Sequence, residues 1–91
     1  MNEEQAKRAK LMRCALITCA SAITEKTAIE YWNLFCKTIS DPATVMPEDT
    51  LIRHMAGIRQ GMNIEDVSHE ISLELTAEAV EAAYDAGYAE P

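Results

Sequence analysis

Apolar side chains in this chain return at steps of three and four almost from end to end. Ala28, Trp32, Phe35 and Ile39 are spaced 4, 3 and 4, and Leu51, Met55, Ile58 and Met62 repeat that pattern. This is the period at which side chains line one face of an α-helix, whereas a half-buried strand alternates every second residue. Turn residues are too few for a β-rich alternative, with three glycines and three prolines in 91 residues. Ala, Leu, Glu and Met supply helix propensity between the stripes. The expected fold is all-α, a single domain over residues 1–91 built as a compact bundle of four or five short helices. A chain of this length buries roughly two-thirds of the surface its unfolded form exposes. Each helix must therefore give one face to a shared core.

Local punctuation places the helices. The first runs from about Glu3 to Ala22, with Leu11, Ala15, Cys19 and Ala22 on one line and Met12, Leu16 and Ile23 beside it. Glu3 with Lys7 and Glu4 with Arg8 are i,i+4 pairs in the favourable order. Thr24 reads as the N-cap of a second helix that ends near Ser40, because Pro42 cannot continue it. Trp32 falls in the apolar stripe of that helix, widened by Ile29 and Cys36, and is expected in the core. The stretch DPATVMPED is a loop. Pro47 fits the first turn of a third helix, with Glu48 and Asp49 suited to its dipole and Gly61 at its end.

Asn63 then caps a fourth helix whose inner stripe is Ile64, Val67 and Ile71. At 100° per residue, Val80 and Tyr84 point nearly opposite to Ile64 and Ile71. One straight helix would need apolar partners on two sides. A break between Leu73 and Thr76 removes the conflict, with Thr76 capping a last helix that buries Ala77, Val80, Tyr84 and Tyr88.

Catalytic patterns are missing from the sequence. His69-Glu70 begins like the zinc motif HExxH, but the residue four after His69 is Leu73, and His54 has no ligand-like spacing to a Cys or His. Glycines at 57, 61 and 87 cannot form a phosphate-binding loop or a nucleophile elbow. Cys14, Cys19 and Cys36 are an odd number without CxxC spacing and read as packing residues in a reducing compartment. Neither an enzyme nor a bound cofactor or metal is expected. No apolar run approaches the roughly 20 residues that span a bilayer. The N-terminus has a basic stretch before an apolar one, as a signal peptide does, but Glu3 and Glu4 precede it and Thr18 and Ser21 interrupt it. A cytoplasmic location is the expectation.

Charge is the unusual property. The formal net charge of −7 is unevenly spread. Residues 1–59 hold all eight Lys and Arg against seven acids, while residues 60–91 hold eight acids and neither Lys nor Arg. Asp66, Glu70, Glu74 and Glu78 step by four, and Glu81 and Asp85 continue by three and four. Like charges at i,i+4 on a helix are mildly unfavourable, by a few tenths of a kcal/mol per pair. The row is expected to meet a protein partner with a basic surface, such as a nucleic-acid channel in which these acids replace phosphates. An inhibitor or adaptor is the resulting expectation, with the physical profile of small acidic phage-encoded inhibitors of host defence complexes. A merely solvated row would move attention to exposed apolar residues of the first two helices, Tyr31 and Leu34 first. A homodimer burying Leu16, Trp32 or Leu34 between chains is a further expectation, as is a self-associating structural role.

The order LIRHMAGIRQGMNIEDVSHEI, a turn, then TAEAVEAAY resembles the helix-turn-helix pattern of bacterial regulators. Gly61, Asn63, Val67, Ile71, Thr76 and Val80 carry the resemblance. It implies a small DNA-binding regulator with a helix-turn-helix-like C-terminal half and a recognition helix that begins after Thr76. The outward positions of that helix oppose the implied function. They are Glu78, Glu81 and Asp85, where base and phosphate contacts call for Arg, Lys, Asn or Gln. Direct nucleic-acid binding is not expected from this face, and DNA contact would have to use Lys7, Arg8, Lys10 and Arg13.

Overall fold

A reciprocal cap starts the first helix. In the computed structural model, which describes residues 2–40 and 46–88, the Asn2 side chain accepts from the Gln5 backbone N–H. The Gln5 side chain accepts from Asn2 N–H in return. Helix α1 then runs Glu3–Ala20, followed by α2 (Glu25–Ile39), α3 (Glu48–Arg59), α4 (Ile64–Ser72) and α5 (Ala77–Asp85). No strand occurs among the described residues. The all-α expectation holds, and so does the break between the fourth and fifth helices.

Three caps sit where short polar side chains announced them. Thr24 accepts from Thr27 N–H, Asn63 from Glu65 and Asp66 N–H, and Thr76 from Ala79 N–H. Pro47 is the exception, standing one residue before α3 at its cap rather than in its first turn. Residues 41–45, most of the loop read from DPATVMPED, lie outside the described residues. Two helices end in Schellman motifs. Met62 N–H donates to the Gly57 carbonyl and Gly61 N–H to that of Ile58, while Tyr88 and Gly87 do the same to Ala83 and Tyr84. Gly61 and Gly87 have φ of 97° and 86°, the left-handed region that a Cβ disfavours.

Helix α1 lies at the centre and packs against all four others, most extensively against α4. Its Leu11, Met12, Ala15, Leu16 and Cys19 are all buried. Helix α4 meets it through residues that looked polar in the sequence. Ser68 and Ser72 are each 1% exposed, and their hydroxyls donate to the Ile64 and His69 carbonyls of their own helix. These bonds satisfy both buried hydroxyls within α4, so the small serines can pack against α1. The expected inner stripe is therefore rotated: Val67, Ser68 and Ser72 face inward, while Ile64 and Ile71 are only half-buried. A similar rotation in α5 buries Ala79, Val80 and Ala83 and leaves Ala77 exposed, with Tyr84 and Tyr88 half-buried.

Helix α2 closes the core from the other side. Trp32 and Phe35 are buried as expected, with ring centroids 5.4 Å apart, and Tyr88 meets Phe35 edge-on at 5.3 Å. The Cα radius of gyration is 12.0 Å, close to the roughly 12 Å expected for a compact chain of this length.

Ile23 departs from its expected place. Helix α1 ends at Ala20, so Ile23 falls in the connection and is 97% exposed. Met62 is also exposed, with its thioether end folded over Gly57. Leu16 and Trp32 are consumed by the core, which removes two of the three residues expected to bury a dimer.

The three cysteines form no disulfide among the described residues and pack against or within the core. Burial, with Cys36 nearby as a smaller cause, pushes the Cys19 thiol up from 9.0 to about 11. At pH 8 its thiolate population is then about a hundredfold below that of a thiol at the ordinary value. Iodoacetamide should modify Cys19 last of the three in the native protein, read by peptide mass spectrometry. Equal labelling of all three would show that α1 opens too readily for the packing described.

Candidate functional site

The six carboxylates of the acidic row, Asp66, Glu70, Glu74, Glu78, Glu81 and Asp85, are all exposed. Their arrangement differs from a single helical line. Helix α4 carries Asp66 and Glu70, the connection carries Glu74, and α5 carries Glu78, Glu81 and Asp85. The steps from Glu70 to Glu74 and from Glu74 to Glu78 cross the break and are not i,i+4 neighbours on one helix. Helix α4 packs on α1, whereas α5 packs on α2 and α1. The acids thus form two short helical groups with Glu74 between them.

Position along each helix decides what these charges cost. Asp66 and Glu78 lie in first turns, where the helix dipole favours a negative charge. Glu70 lies in the last turn of α4, Glu74 just past it, and Asp85 is the last residue of α5. There the dipole opposes Glu70 and Asp85 by a few tenths of a kcal/mol each, while Glu74 lies between the end of one helix and the start of the next. The last turn of α5 holds no basic residue, and that of α4 holds only His69. Two ion pairs, Arg8–Glu4 and Arg13–Glu65, use none of the six. Glu65 was not singled out by the sequence. Its bond to Arg13 at 2.9 Å joins α4 to α1 across 52 positions, a separation that no local spacing reveals.

The basic residues of α1 have partners within the protein, although Lys7, Lys10 and Arg13 stay exposed. Arg8 binds Glu4, and Arg13 binds Glu65. The Lys7 ammonium lies 4.7 Å from the centre of the Tyr84 ring, and the Tyr84 hydroxyl donates to the Lys7 carbonyl at 3.2 Å. Lys10 also has a partner. Arg59 donates to the Ala20 and Ala22 carbonyls at 2.8 and 3.4 Å, supplying a cation and donors to the end of α1.

One further surface is unusual. Ile17, Tyr31, Leu34 and Ile23 are 36%, 46%, 53% and 97% exposed. The first, second and last of these share a groove of about 510 Å³ with Thr27 between α1 and α2. Tyr31 and Leu34 stand where the sequence put them. Ile23 was missed, although its place gave a signal. It directly precedes the N-cap Thr24, where an apolar residue packs against the fourth helical position, here the small and buried Ala28.

His54 and His69 are half-buried, and no three potential metal ligands gather among the described residues. No helix among them is long and apolar enough to cross a membrane. Compared with protein families, curated proteins and solved structures, the chain matches none.

Proposed function

We propose that this chain acts by binding another protein, not by catalysis, and that its partner offers a basic surface to the exposed acids of α4, α5 and their connection. One observation carries this reading. Glu70 and Asp85 stand in the last turns of α4 and α5, where the backbone dipole disfavours them, in a segment without Lys or Arg. Charges that lower the stability of the free chain are supported by a gain elsewhere, and a cationic partner supplies one. Exposed carboxylates can replace phosphates in a basic channel, so the chain would act in the cytoplasm as an inhibitor or adaptor of the phage-encoded kind.

The regulator reading has less support. Helix α5 presents Glu78, Glu81 and Asp85 to solvent, and the cations of α1 have partners within the protein. The purified protein should leave duplex DNA unshifted in a gel at physiological salt. A tagged form should capture a protein with a basic surface from bacterial lysate, in a yield that falls as salt screens the contact. Tight, salt-sensitive binding to a defined DNA site would instead establish the regulator.

A further inference from the structure

The exposed face of α2 combines a knob, a groove and two opposite charges. Leu34 projects one turn beyond Tyr31, and the groove beside Tyr31 is lined by Ile17, Ile23 and Thr27. Glu30 and Lys37 are seven residues apart on the flank of that line, both exposed and neither bonded to another side chain among the described residues. Ile23 is bare although its position before the cap of α2 favours an apolar contact.

We propose that α2 forms the seam of a homodimer in which two copies pair antiparallel through Tyr31 and Leu34. Charge complementarity selects this occupant and this direction. When Tyr31 lies opposite the partner's Leu34, Thr27 lies opposite the partner's Thr38. Glu30 and the partner's Lys37 are then offset by two residues, about 3 Å along the axis. Both side chains reach across that distance, and the two-fold axis repeats the pair. A parallel pairing would set Glu30 beside the partner's Phe35, which is buried in its own core, and neither charge would be matched. The groove of each copy receives the partner's Leu34, so one surface supplies both halves of the contact. This patch lies on α1 and α2, apart from the acids of α4 and α5, and the inference does not depend on the basic partner.

Sedimentation equilibrium over a concentration series tests it. The intact protein should show the mass of two chains rather than the 10.1 kDa of one. Leu34→Asp should raise the dissociation constant at least about tenfold, as expected for loss of a central apolar anchor. Ile23→Asp, at a side chain that makes almost no contact in the single chain, should weaken the dimer with the helical circular dichroism unchanged. Glu30→Lys should weaken it several-fold by setting two lysines against each other, and adding Lys37→Glu should restore it. A single-chain mass at every concentration would overturn the proposal and leave the patch to a different protein. A dimer indifferent to Leu34→Asp and Ile23→Asp, or a charge swap that fails to restore association, would overturn it as well.

Discussion

Phe35→Ala should lower stability by about 3–5 kcal/mol, the range for truncating a large buried aromatic side chain. Phe35 is 1% exposed and lies between Trp32 and Tyr88, joining the middle of α2 to the residue that closes α5. Its loss removes apolar burial, leaves a cavity and deletes the edge-on contact with Tyr88, which contributes about 0.5–1.5 kcal/mol beyond area. A domain of this size has roughly 5–14 kcal/mol in total. The substitution thus takes a large part of it, and α5 should loosen first. Urea denaturation followed by the fluorescence of Trp32 measures the change. Leu73→Ala is the control, since Leu73 is 53% exposed and should cost less than about 1 kcal/mol. Equal losses for the two variants would place the core elsewhere than between α2 and α5.

Helix positions were legible because their causes are local. Thr24, Asn63 and Thr76 accept bonds from N–H groups two or three residues ahead, and the 4-3-4 stripe of Ala28, Trp32, Phe35 and Ile39 is the buried face of α2. The change of phase after Leu75 exposed the break between α4 and α5 for the same reason. Interhelix packing was less legible. Ser68 and Ser72 look solvent-facing until their hydroxyls are seen to bond their own helix, which frees them to pack on α1. The sequence likewise shows that Tyr31 and Leu34 are apolar, but whether a neighbour covers them depends on where α1 ends. The acids were legible singly, as charges that stay in water. Their division over two helices, and the links Arg13–Glu65 and Tyr84–Lys7, depend on contacts 52 and 77 residues apart in the chain.

Neutralising Glu70, Glu74, Glu78 and Glu81 together as Gln should leave the fold nearly unchanged. Removing charge from Glu70 relieves both its clash with the dipole at the end of α4 and its repulsion of Asp66. Glu81→Gln relieves repulsion of Asp85 in the same way. Glu78→Gln acts oppositely, because Glu78 lies in the first turn of α5 where the dipole favours it. These terms are each a few tenths of a kcal/mol, so stability should stay within about 1 kcal/mol of the parent. A change in binding would then report on the face itself and not on unfolding.

The association rate of this four-Gln variant with the captured basic partner, measured beside the parent protein at low and at high salt, tests the account most directly. Steering by the acids predicts association slower by about tenfold or more at low salt, with the difference shrinking as salt screens the charges. Equal association and dissociation rates for the two proteins at low salt would contradict it, and would show that Glu70, Glu74, Glu78 and Glu81 are a solvated surface.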